Sequence, residues 1–203
     1  LEDMDIAAAG GPEIRFDGSI AGLPDIRRSR ISLDIERLKT TSAELESTLR
    51  AFSPEAGAGI GKFAEGVEVT LSGKASGTPD NLYADITAAV DSGSVRADVA
   101  VKNLMSAKKS ISIAGGISAR DFDLGRILGT QLLRQCSLRT DFRADLGNRG
   151  EGPELAIDSL FVSRLNANGY DYSNIAAAGT MKKNAFDGRI VCNDPNLNFM
   201  FQG

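Results

Sequence analysis

Histidine is absent from the 203 residues, and so is tryptophan. Without histidine there is no Ser-His-Asp or Cys-His nucleophile arrangement, no HExxH zinc site and no histidine pH switch. The two cysteines, Cys136 and Cys192, match no CxxC spacing, so neither a zinc site nor a thioredoxin-type motif is indicated. Two buried free thiols are expected, a disulfide being the alternative in an oxidising compartment. No apolar run reaches the ~18 residues that cross a bilayer as a helix. Basic residues are not in excess: 23 Lys and Arg against 27 Asp and Glu give a net charge of −4, which disfavours a general nucleic-acid binder. The 42% hydrophobic and 25% charged residues are ordinary for a soluble domain able to bury a core. The length suits one domain or two small ones.

What is present is period-two alternation, from about residue 64 onward. Val67, Val69 and Leu71 share one face, with Glu68 and Thr70 opposite. Leu82, Ala84, Ile86, Ala88 and Val90 align, and Asp91-Ser-Gly-Ser94 then supplies a hairpin link. Val95, Ala97, Val99 and Val101 follow against Arg96, Asp98 and Lys102. The pattern continues through Ile111 and Ile113, then 138–146 with Phe142, then 155–162, 170–181, 186–193 and 197–201.

Two segments break the alternation. Residues 41–52 predict a helix, with Ala43, Leu45, Leu49 and Phe52 as its stripe, Ser42 as cap and Pro54 as its stop. Residues 123–134 predict a second, short or broken helix capped by Asp123 and weakened by Gly125 and Gly129. The expected fold is all-β, mainly an antiparallel meander of about ten strands with two short helices. A helix shields ~10 Å, about two strands at ~4.8 Å spacing, so two helices cannot cover such a sheet. Either the sheet folds onto itself as a closed sandwich or part of its apolar face stays available to a ligand.

No motif points to catalysis. Gly57-Ala-Gly-Ile-Gly-Lys-Phe63 has Ala56 where a Walker A loop needs glycine and Phe63 where it needs Ser or Thr; Lys62 spoils a dinucleotide fingerprint. Asp121 and Asp123 form a candidate metal-binding carboxylate pair, but one aspartate is better explained as a helix cap, and Asn193-Asp-Pro-Asn196 with Asp194 as turn chemistry. Arg27, Arg28 and Arg30, flanked by Asp25, Asp34 and Glu36, read as a solvated strand face. Tyr170, Tyr172, Phe186, Phe199, Met200 and Phe201 gather near the C-terminus as core, or as a hydrophobic ligand surface. The sequence predicts no catalytic residue, no metal site and no cofactor.

The stretch Leu160-Phe-Val-Ser-Arg-Leu-Asn-Ala-Asn-Gly-Tyr-Asp-Tyr-Ser-Asn-Ile175, then Gly179-Thr180, Phe186-Asp-Gly-Arg-Ile190 and Asp194-Pro-Asn-Leu-Asn-Phe-Met-Phe-Gln-Gly203, resembles the AsmA/TamB family of diderm bacteria. The resemblance is in particular to the large TamB-like proteins of Bacteroidetes. Gly116-Ile-Ser-Ala-Arg-Asp-Phe-Asp-Leu-Gly-Arg-Ile-Leu128 is similar to another element of the same proteins. The likeness covers roughly residues 110–203, and the earlier strands only in style.

The resemblance implies a non-enzymatic periplasmic protein, anchored in the inner membrane by parts outside this chain. Its β-segments would curl into a groove that conducts phospholipid between membranes in outer-membrane biogenesis. An outer-membrane barrel protein is the implied partner for the TamB branch; no nucleic acid is expected. A start at Leu1 without a leader, and a strand-like end, lead to the expectation that residues 1–203 form one elongated internal segment of a longer polypeptide. With the resemblance, an open curled groove stands ahead of the closed sandwich. Its expected lining is Val67, Val69, Leu71, Ile86, Val90, Val95, Val99, Val101, Ile111, Ile113, Phe142, Leu197, Phe199 and Phe201.

Overall fold

The computed structural model describes residues 4–7, 13–25, 28–41, 43–44, 67–90, 93–106, 110–146, 152–183 and 185–203. Alternating sequence becomes strand after strand, in chain order: β1 (Met4–Ala7), β2 (Glu13–Ala21), β3 (Arg30–Thr41), β4 (Glu68–Thr78), β5 (Asn81–Val90), β6 (Gly93–Lys102) and β7 (Ser112–Asp123). After the helix α1 (Leu124–Leu128) come β8 (Leu133–Asp145), β9 (Glu154–Ala167), β10 (Tyr170–Tyr172), β11 (Ile175–Lys182), β12 (Ala185–Asp194) and β13 (Leu197–Gln202). All belong to a single antiparallel sheet whose strands pair with their sequence neighbours from β1 to β13; only β10 leaves that path, pairing with β9 as a short hairpin. β1 and β13 lie at opposite ends of this order and are not paired with each other, so the sheet is open. The closed sandwich is therefore set aside, and the strand count is higher than the period-two pattern alone suggested. The difference comes largely from β1 to β3, which precede the region where alternation is clean.

Register gives the sheet two unlike faces. Antiparallel partners share a face, so one row runs Ile35, Gly73, Ile86, Ala97, Ile117, Thr140, Leu160, Ala177, Ile190 and Phe201 from β3 to β13. A parallel row runs Leu38, Leu71, Ala88, Val95, Ala119, Leu138, Val162, Ile175, Cys192 and Phe199. Thr140 is the polar exception in the first row, and its hydroxyl donates to the Ser159 carbonyl at 2.9 Å. The other face carries cross-strand ion pairs: Lys74 with Asp34, Arg96 with Asp85, Arg143 with Asp158 and Lys182 with Glu154. These side chains are solvated, so each pair adds little to stability and chiefly favours the register that brings them together.

One of the two expected helices is shorter than the sequence predicts. The second occupies only Leu124–Leu128: Asp123 caps it by accepting from the Arg126 N–H at 2.9 Å, and Gly129, at φ 64°, ends it. Residues from Leu133 onward are strand, because the left-handed glycine turns the chain back into the sheet. Of the first helix Thr41, where β3 ends, Ala43 and Glu44 are described; the rest of 41–52, like the glycine-rich segment 57–63, lies outside the described residues. Its cap is Thr41, where the sequence suggested Ser42. The Glu44 N–H donates to Thr41 Oγ1 at 3.3 Å, and the Thr41 N–H donates back to Glu44 Oε2 at 2.9 Å, a reciprocal capping box.

Gly73 shows how closely the ladder is packed. It sits opposite Ile86 at φ 142°, where a Cβ would run into the Asp85 carbonyl oxygen. Gly73→Ala is expected to lower unfolding stability by ~2 kcal/mol or more in urea titration, from strain and clash together. Ser72→Ala, next to it on the polar face, should stay within about 0.5 kcal/mol.

Candidate functional site

The candidate site is the apolar face. Twelve of the expected lining residues fall within strands, on β4 (Val69, Leu71), β5 (Ile86, Val90), β6 (Val95, Val99, Val101), β7 (Ile113), β8 (Phe142) and β13 (Leu197, Phe199, Phe201). The register places all of them on this one face. Val67 and Ile111 lie one residue before β4 and β7, and the Ile111 carbonyl accepts from the Leu146 N–H at 3.0 Å. The structure thus unites in one surface residues that are up to 134 positions apart in sequence, from Val67 to Phe201.

Burial along this face is uneven. The described apolar residues that are fully buried are Val67, Val69, Cys136, Val162 and Cys192. All lie toward the strand ends that carry the β3–β4, β7–β8, β9–β10 and β12–β13 connections. Here α1 packs on β8, with Gly125 buried against the Leu133 carbonyl. Cys136 and Cys192 are free thiols, and burial pushes the Cys136 thiol up, which keeps it protonated.

Toward the opposite strand ends the face is half exposed. The chain there shows Ile20, Leu23, Leu104, Met105, Leu146 and Met181 to solvent, with Leu23 62% exposed. Sequence periodicity missed this apolar fringe because most of it sits in turns, where alternation carries no facing information. The signal was the presence of large apolar side chains at turn positions that ordinarily take polar residues.

The carboxylates have structural roles. Asp194 is 5% exposed and accepts from the Tyr170 hydroxyl (2.8 Å), the Ser173 N–H (2.9 Å), the Ser173 hydroxyl (3.0 Å) and the Asn196 N–H (2.9 Å). The Asn196 N–H foremost, with Tyr170 and Ser173, holds its carboxyl below the usual carboxylate range against the opposing effect of burial. This knot ties the β10 hairpin to the β12–β13 turn. Tyr170 packs edge-on to Tyr172 with ring centroids 4.7 Å apart, and Phe186 stacks near Phe201 at 6.4 Å.

Asp121, at φ 48°, belongs to a bulge in β7 and faces Arg164 at 3.8 Å. Among the described residues no group of three His, Cys, Asp or Glu side chains could hold a metal ion. The expected basic strand face at 27–30 is not formed as such. Arg28 lies in the turn, 3.7 Å from Asp25, only Arg30 enters β3, and Arg27 lies outside the described residues.

Asp194 generates a pH prediction. Its folded pKa is depressed, so its contribution is present above the unfolded carboxylate value of about 3.9 and is lost as pH falls through the lower folded value. Asp194→Asn should lower the Tm at pH 7, and the gap to the native chain should narrow as the pH drops below ~4. A gap that stays constant across that range would contradict the role given to the charge. No protein-family model, no curated protein and no solved structure matches the chain.

Proposed function

We propose that the chain is a non-enzymatic, AsmA/TamB-like segment of a periplasmic envelope protein. It carries phospholipid acyl chains along its apolar face between the inner and outer membranes. The observation that carries this reading is the continuous apolar face crossing from β3 to β13, partly exposed along most of its length, with no second layer over it among the described residues. An acyl chain laid on such a surface gains about 0.8 kcal/mol per buried methylene without any directional contact. The rows offer Ala, Val, Ile, Leu and Phe and little that selects a headgroup. A conduit benefits from this uniformity, because a lipid held tightly at one point does not move on. The single sheet also avoids a dead end: neither edge is closed by the other.

A second reading has its own observation. β13 is an edge strand whose six residues are all exposed, Met200 at 62%, and it carries Phe199 and Phe201 beside a free backbone edge. Such an edge suits a scaffold that assists outer-membrane proteins by pairing with their strands, with an outer-membrane barrel as partner.

A photo-crosslinking residue placed at Val99 in the full-length protein in cells, with Lys102 on the polar face as control, separates the two. Lipid adducts at Val99 and none at Lys102 are expected for the conduit. Protein adducts at Val99, together with loss of function from Asn198→Pro in β13, would instead support the scaffold.

A further inference from the structure

A depression of about 600 Å³ opens on the polar face, across β5 to β9, and nothing in the acyl-chain reading uses it. Register explains how it forms. Arg96 on β6, Ser118 on β7 and Arg139 on β8 are consecutive cross-strand partners, so two arginines flank one small hydroxyl. Arg120, two residues further along β7, stands on the same face opposite Ser94. Three guanidinium groups therefore surround a floor made low by Ser94 and Ser118. The volume lies within the ~300–1,000 Å³ typical of small-ligand sites.

The arginines are held differently. Arg96 is fixed by two bonds to Asp85, at 2.9 and 2.7 Å. Arg139 lies over the Phe161 ring at 5.6 Å, which orients its plane without neutralising its charge. Among the described residues neither Arg120 nor Arg139 has a carboxylate partner, and the hydroxyls of Ser94 and Ser118 make no hydrogen bond. In a chain of net charge −4, unneutralised arginines brought together over free hydroxyls are an unfavourable arrangement that an anion would relieve.

We propose that this depression binds a compact phosphate group, as in a phosphate monoester. Planar guanidinium forks match two phosphate oxygens at once, and the Ser118 and Ser94 hydroxyls supply further donors. The acids set the limit of size. Asp98 and Asp141 flank Gly116, two residues along the strands from Arg96, Ser118 and Arg139, and they repel a polyanion that extends in that direction. A single phosphate fits this charge pattern and a nucleic-acid backbone does not. The site is on the face opposite the acyl-chain surface, so it stands or falls independently of lipid carriage. Its phosphate can come from a free metabolite or from the headgroups of a membrane surface.

The test is a titration of the chain, followed by amide NMR shifts at low ionic strength, with glycerol 1-phosphate and with inorganic phosphate. A parallel arm measures co-sedimentation with phosphatidylglycerol and phosphatidylcholine vesicles. Saturable shifts clustered at Arg96, Ser118 and Arg139, weakened at least tenfold by combined Arg120→Gln and Arg139→Gln but not by Arg189→Gln on β12, are expected for a free monoester. Sedimentation with phosphatidylglycerol that depends on the same two arginines assigns the phosphate to a membrane surface. Ser118→Leu, which fills the floor without changing charge, should weaken either mode. Absence of saturable binding in both arms, or equal weakening by Arg189→Gln, would overturn the proposal.

Discussion

The constraint on which the structure depends is that every strand keeps its apolar side chains on the same face as its neighbours, although the sequence is not in phase with itself. A slip of one residue would turn a strand inside out. In β9 the apolar positions are Leu155 and Ile157, then Leu160 and Val162, then Leu165: two phase breaks within one strand. Each is absorbed by a bulge. Between Ile157 and Leu160 the partner β8 advances only from Phe142 to Thr140, and between Val162 and Leu165 only from Leu138 to Cys136. The same device realigns Ile35 with Leu38 against Gly73 and Leu71, and Ala119 with Phe122 against Leu138 and Cys136. One extra residue at each place restores the facing and locally increases the twist of the strand. The two-faced sheet exists because these irregularities cancel the irregularities of the sequence.

The two faces then acquire opposite chemistry. On one, cross-strand contact among aliphatic side chains supplies cohesion while leaving most of them partly accessible, as befits a single layer. On the other, carboxylates and cations from adjacent strands pair across the ladder, and Asp158, the extra residue of one β9 bulge, meets Arg143 there. Burial is concentrated at one set of strand ends, where the short helix and the Asp194 knot sit. The other set of ends is left with exposed leucines and methionines. A sheet built this way is most buried beside the short helix and the Asp194 knot and leaves apolar side chains accessible elsewhere, as the acyl-chain reading requires.

Much of this was legible in the sequence. Clean alternation in 67–71, 82–90 and 95–101 identified both the strands and their apolar sides, and the shortage of helix to cover them followed from spacing alone. Asp123 as a cap and Asp194 as a local organiser of turns were also readable, since short polar side chains before a helix or around Pro195 have few other roles. Less was visible where the phase slips. Bulges look like broken periodicity until the partner strand is known, and β1 to β3, with Glu36 as an extra residue opposite the step from Arg15 to Phe16, were correspondingly obscure. The end of α1 was overestimated because Leu132 continues an apolar spacing that Gly129 has already interrupted. The meeting of Arg96, Arg120 and Arg139 was hidden for another reason: it depends on the register of three strands, which no local pattern encodes.

The central claim is that one face of this sheet, and not the other, accommodates acyl chains. The most direct measurement is of nuclear Overhauser contacts between a lysophospholipid's chain methylenes and the methyl groups of the isotopically labelled protein. The account predicts contacts to the methyls of Ile86, Val95, Val99 and Ile113 and none to those of Ala100 and Ala114, which the register places on the polar face. Contacts on both faces alike, or none at the four apolar positions while lipid is present in excess, would contradict it.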